Sequence, residues 1–188
     1  MTDSTTTAIE FPGYKAGTRT LDPSHSEVQF SVRHMMISKV RGTFGVKAAT
    51  LTAPENPLEA TVEATVDVAS IDTKDEGRDN HLRSADFFDV ETYPTMEFRS
   101  TGVRIENGDF LVDGNLTIKG ITKPVTFDFD FGGFGTDPWG NYKAGATAKA
   151  VINREDFGLT WNAALETGGV LVGKDVTIEL DLQGALAA

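Results

Sequence analysis

The sequence predicts an all-β protein, an antiparallel barrel of about eight strands with one short helical segment near residues 78–87. Three observations predict it. Apolar residues recur at every second position along most of the chain, which is the signature of strands with one buried face. Asn107-Gly108 separates two such segments, and a type I′ hairpin turn needs positive φ at both of its central positions. Helical patterning is confined to Lys74–Phe87, centred on Asn80–Ser84, with a single further turn between Asn153 and Phe157. Antiparallel strands with clean in/out alternation form a sandwich or a closed barrel; alternation on nearly every strand favours the barrel, with one apolar lumen and one polar exterior.

Residues 1–17 are Thr-rich, aperiodic and contain Pro12-Gly13, so they read as a partly flexible N-terminal arm, with a single domain over 18–188. From Thr18 onward the strands follow in order. Val28, Phe30, Val32 and His34 share one face; Val40, Gly42, Phe44 and Val46 share the next. Val62, Ala64, Val66 and Val68 alternate with Thr and acidic residues, and Met96, Phe98, Val103 and Ile105 follow. Phe110 and Val112 lead into Leu116 and Ile118; then come Val125, Phe127, Phe129 and Phe131. Gly132–Gly140 reads as a longer loop. Beyond it, Ala144, Ala146, Ala148 and Ala150 form a row, and Val176, Ile178, Leu180 and Leu182 close the series.

Composition narrows the function. Seventeen Lys+Arg against 28 Asp+Glu give a net charge of −11 over 188 residues, which repels phosphate backbones and argues against nucleic-acid binding. The absence of cysteine removes disulfides, thiolate catalysis, iron–sulfur clusters and Cys-based zinc sites. Twelve Phe stand beside 2 Trp and 3 Tyr, so most of the aromatic surface has no polar handle and must be buried. No apolar run reaches the roughly 18 residues of a membrane span, and the N-terminus has neither the basic nor the apolar region of a secretory signal. The expectation is a cytoplasmic protein without a transmembrane segment.

Familiar motifs fail on their chemistry. Gly168 to Lys174 has phosphate-loop spacing, but Asp175 replaces the Mg²⁺-binding hydroxyl and a strand follows instead of a helix. Asp72–Gly77 resembles a calcium loop with Lys74 at a ligand position and Arg83 in place of the bidentate Glu. No nucleophile elbow or zincin motif occurs. His25, His34 and His81 have no carboxylate motif to join them in a metal site, so no metal or cofactor is expected.

Four features point to a site. The Ala row removes filler volume from a barrel just wide enough to be filled by side chains or to hold one small ligand; it makes either a cavity or a partner for the neighbouring Phe strand. His34 ends an apolar face, where it is either a buried imidazole bonded to backbone or a polar group at a pocket mouth. His81, Asn80 and Arg83 in the helical segment, with Asp86 close by, form either an exposed capping network or a polar rim. Trp161 either walls a pocket or plugs a barrel end.

Leu21-Asp-Pro-Ser-His-Ser-Glu-Val-Gln-Phe-Ser-Val-Arg-His34 and Ser38-Lys-Val-Arg-Gly-Thr-Phe44 resemble the opening signature of the YceI-like family. His81-Leu-Arg-Ser-Ala-Asp-Phe-Phe-Asp89 with Tyr93-Pro94, Gly114–Gly120, Arg154–Asn162 and Val172–Leu180 follow in the family's order. The likeness covers about Gly17 to Leu182. It implies an extended lipocalin-like antiparallel β-barrel whose lumen binds polyisoprenoid or other long amphiphilic lipids, with no established catalytic chemistry, and it favours the cavity reading of the Ala row. Many relatives are periplasmic, unlike the expectation here.

The resulting expectation is non-catalytic carriage of an isoprenoid or related lipid (polyprenyl, quinone or fatty-acid-like). Phe30, Val32, Phe44, Val66, Phe98, Ile118, Phe127, Phe129 and Ala146 are the candidate lumen wall, and His34, Asn80, Arg83 and Trp161 the candidate mouth. Strands of about eight residues span only ~26 Å, so a long ligand folds back or protrudes. The alternatives are a rim enzyme using His34 or His81 with Asp86, and a protein-interaction module with a filled barrel. A homodimer is compatible with each.

Overall fold

The computed structural model describes residues 11–166 and 168–187. Nine strands are arranged antiparallel: β1 (Gly17–Leu21), β2 (Glu27–His34), β3 (Ser38–Ala53), β4 (Thr61–Asp72), β5 (Thr95–Glu106), β6 (Asp109–Ile118), β7 (Ile121–Thr136), β8 (Tyr142–Asn153) and β9 (Val172–Leu186). One helix, α1 (Glu76–Arg83), lies between β4 and β5, where the sequence places it.

The sheet order β3-β2-β9-β8-β7-β6-β5-β4 closes on itself through pairing of β3 with β4. β1 is not an extra stave. It pairs with the far end of β3 (Arg19 opposite Leu51) and of β9 (Arg19 opposite Leu186), while β2 occupies the same gap at the near end of both. A 3₁₀ turn at Pro23–His25 breaks this one stave, capped by the Asp22 carboxylate accepting from the Ser24 N–H. The barrel therefore has eight staves.

The staves are longer than the sequence pattern suggests. β3 and β7 each run for 16 residues, or ~53 Å of strand at about 3.3 Å per residue, about twice the sequence-based length. The Gly132–Gly140 loop is the main cause: β7 continues through Gly132-Gly-Phe-Gly-Thr136, and only the Asp137–Asn141 turn remains. Glycine there does not end the strand. Gly133, at φ 126°, sits in a bulge, and the extra residue moves Phe134 onto the inward face after Phe131. A bulge in β5 between Ser100 and Gly102 similarly passes the inward face from Phe98 to Val103, and one in β3 between Val46 and Ala48 passes it to Ala49.

Small residues let the rings lie down inside. A Cβ on Gly114 would come within 2.3 Å of the Phe98 ring, and one on Gly42 within 2.5 Å of the Phe30 ring. The densest packing gathers at the α1 end, where Ile71, Phe87, Ile118, Phe157 and Leu159 are buried. The Asn107-Gly108 turn forms as expected, with φ of 52° and 88°.

The arm departs from expectation. Its expected flexibility falls partly on residues 1–10, outside the described residues. Residues 11–16 fold across the barrel end opposite α1. Phe11 packs on Phe110 and Phe131 at ring separations of 4.9 and 5.5 Å. The Tyr14 hydroxyl donates to the Pro54 carbonyl and the Tyr142 hydroxyl to the Gly13 carbonyl.

At the same end Lys143 meets Asp22 at 3.1 Å and Asp137 at 3.5 Å. Hydrogen bonds from Ser24, then His25 and Lys143, hold the Asp22 carboxyl far below the usual carboxylate range. The Asn141 side chain chiefly does the same for Asp137. Such depressed carboxyls stabilise the fold above the unfolded Asp pKa of about 3.9, and the contribution is lost as pH falls through their native values. Melting curves between about pH 5 and pH 2 are expected to show a falling acid limb, shallower in Asp22→Asn. In urea titrations Gly114→Ala is expected to cost roughly 1–3 kcal/mol, because the new methyl overpacks Phe98.

Candidate functional site

A cavity of about 610 Å³ occupies the barrel, inside the 300–1,000 Å³ range of small-ligand pockets. Its wall runs from Phe11, Tyr14 and Arg19 at the arm end to His81, Phe87 and Trp161 at the α1 end. All nine residues of the expected wall line it: Phe30, Val32, Phe44, Val66, Phe98, Ile118, Phe127, Phe129 and Ala146. The rings touch in tilted and edge-to-face pairs, Phe30 on Phe44 at 5.4 Å and Phe98 on Phe127 at 5.2 Å, the geometry that suits aromatic quadrupoles.

The Ala row divides between its two readings. Ala144 and Ala146 face the cavity, the latter opposite Phe131 in the β7–β8 register. Ala148 and Ala150 are buried in the packed core instead, so small-against-large packing applies toward the α1 end and free volume toward the arm end.

Of the four expected mouth residues, the structure brings two to the cavity. His34 lines it beside Arg33, and among the described residues its ring makes no hydrogen bond. Trp161 lines it too, with its ring 4.8 Å from His81 and 5.3 Å from Phe87. Asn80 and Arg83 do not line it, and this corrects the sequence reading. α1 turns Gly77, Arg78, His81 and Leu82 toward the cavity, while Asn80 is exposed and Arg83 reaches β4 instead. Arg83 donates from Nε to the Ala69 carbonyl at 2.9 Å, from Nη2 to the Ile71 carbonyl at 2.9 Å and from Nη1 to Asn80 Oδ1 at 3.1 Å. It fastens the helix to the sheet.

The rest of that end is tied by backbone carbonyls. Arg154, only 3% exposed, donates to the carbonyls of Gly173, Leu159, Trp161 and Val172, and burial lowers its pKa. His81 shares a 2.8 Å contact with Asp86, the pairing anticipated for a polar rim. Among the described residues no cluster of three or more His, Asp or Glu could hold a metal ion.

Sequence reasoning missed Phe11, Tyr14, Arg19 and Phe134, which line the arm end of the cavity. Two aromatics within a Thr-rich arm, Phe11 and Tyr14, were the available signal.

The sequence profile of the YceI-like domain matches residues 20–184. The chain belongs to the YceI-like family. A UPF0312 protein of Staphylococcus aureus (strain N315) is 40% identical to this YceI-like chain over 171 residues, covering 89% of it and 97% of the relative. The crystal structure of Burkholderia cenocepacia BcnA superposes with a TM-score of 0.74 at 25% identity, covering 87% of this chain and 98% of that one. A polyisoprenoid binding domain from Saccharophagus degradans shares the fold at a TM-score of 0.64 and 14% identity, over 92% of this chain and all of that one (100%).

Because Arg83 is a brace and not part of the cavity wall, Arg83→Ala is expected to lower stability by about 1–3 kcal/mol through loss of its carbonyl bonds. Urea midpoints measure that loss, and cavity occupancy by a fluorescent fatty-acid probe is expected to survive it.

Proposed function

We propose that this chain is a non-catalytic carrier of a long-chain isoprenoid or related amphiphilic lipid, held in the barrel lumen. The cavity carries the reading: a hollow of about 610 Å³ walled by Phe, Val, Leu and Ala from all eight staves. A hydrocarbon chain makes no hydrogen bonds, so a wall of this chemistry suits it, and burial contributes about 0.8 kcal/mol per CH₂-sized group before ordering costs. The Saccharophagus degradans neighbour, a polyisoprenoid binding domain, points the same way. The long staves also ease the length problem. At a tilt of about 40° a 16-residue strand rises roughly 40 Å along the barrel, so an extended tail need not fold back.

The rim-enzyme alternative has one observation in its favour, the His81–Asp86 contact at 2.8 Å. The His81 ring, however, is packed edge-on against Trp161 and Phe87, and among the described residues no hydroxyl or amine hydrogen-bonds to it. We therefore read His81 as part of the wall at the α1 end, held by Asp86 from the solvent side, with no turnover associated with the pair. A filled barrel serving only as an interaction module is disfavoured by the cavity itself.

Mass spectrometry of the protein as purified, under native and then denaturing conditions, is expected to release a lipid. Recovery of none, with no binding of added prenyl alcohols, overturns the carrier reading. Ala146→Phe fills the lumen from its own wall and is expected to weaken prenyl binding about tenfold or more, since excluding even two CH₂-sized groups forfeits that much.

A further inference from the structure

The barrel buries two arginines, and they are treated differently. Arg154, at the α1 end, is surrounded by four backbone carbonyls. Arg19, at the arm end, is 2% exposed and has one: its Nη2 donates to the Lys15 carbonyl at 2.7 Å. Among the described residues its Nε is buried without a hydrogen-bond partner and no carboxylate forms an ion pair with it. The guanidinium lies over the rings of Tyr14 and Phe134, 5.9 and 5.6 Å from their centroids, and lines the cavity.

A guanidinium stays charged at any physiological pH. A buried charge without a counter-ion is costly, and the partial relief offered by two aromatic faces does not satisfy a directed N–H. Arg19 lines the lumen, so the lumen is the route by which a partner for that donor arrives. Lys15 adds a second cation at the same end. Its ammonium sits 4.0 Å above the Tyr142 ring, which stacks on Phe134 at an interplanar angle of 5°. In a chain of net charge −11, Lys15 thus stands near an arginine that has no ion-pair partner among the described residues.

We propose that Arg19 is the anchor for an anionic head group, a carboxylate or a phosphate, of the amphiphile whose tail fills the barrel. The inference rests on the carrier reading and adds a direction to it: the charged end lies under the folded arm and the tail points toward α1. Arg is suited to the task because its planar fork can present Nε and an Nη to two oxygens of one anion.

The test compares probes that differ only in the head group: oleate against oleyl alcohol, and geranylgeranyl phosphate against geranylgeraniol, titrated into the delipidated full chain. The wild-type protein is expected to bind each anion about tenfold or more tightly than its alcohol, the effect of a hydrogen bond to a charged group. Arg19→Gln is expected to erase that preference, and Arg19→Lys to retain part of it. A preference confined to one anion identifies carboxylate or phosphate as the natural head group. Equal wild-type affinity for anion and alcohol overturns the proposal even if Arg19→Gln fails to fold, and so does a preference that persists in a folded Arg19→Gln. Alcohols that bind equally well leave the carrier reading standing without the anchor, whereas failure of every probe to bind overturns both.

Discussion

Closure of the sheet is the constraint on which the rest of this molecule depends. With β3 hydrogen-bonded to β4 on one side and to the β1–β2 stave on the other, the staves leave no free edge, and a closed sheet has an inside and an outside at every residue. Alternation then becomes obligatory, and it must be kept in phase over strands far longer than average. The bulges in β3, β5 and β7 do this. Each inserts one residue where the coiling of the sheet would otherwise turn an apolar row outward. Gly42 and Gly114 do the complementary job of letting Phe30 and Phe98 lie flat against the wall.

The two ends of the tube close by different means, and the difference shapes what it can hold. The α1 end is sealed by side chains packed on one another and by Arg154 threaded through carbonyls. The opposite end is sealed by Phe11 and Tyr14, contributed by a segment outside the sheet. Free volume gathers toward that second seal, where Ala144 and Ala146 replace larger residues. An apolar interior that is densely packed at one end and roomier at the other is asymmetric along its axis.

Much of this was legible in the sequence, for identifiable reasons. Period-two patterning sets which side chains face inward whatever the detailed register, so the nine wall residues could be named from parity alone. Asn107-Gly108 was readable because its turn demands those residues. Reading failed where local signals have two meanings. Glycines in Gly132–Gly135 suggested a loop but serve a bulge inside β7, and the pairing that decides between them comes from β8, a nonlocal partner. Asn80 and Arg83 share a helix with His81, yet which stripe faces the lumen depends on how α1 docks on β4, which no local pattern encodes. Arg19 and the arm were missed because their burial is created by Phe134 and Tyr142, more than a hundred residues away.

The broken first stave has a consequence for how the chain acquires its shape during synthesis. β1 and β2 are made first, but half of their pairing is with β9, the last strand. Until β9 leaves the ribosome, the nascent sheet is an open ribbon with two unpaired margins and its greasy face uncovered, the condition in which chains stick to one another. Premature termination before Val172 therefore removes the strand that completes the ring, and a shortened product is a substrate for chaperones and proteases.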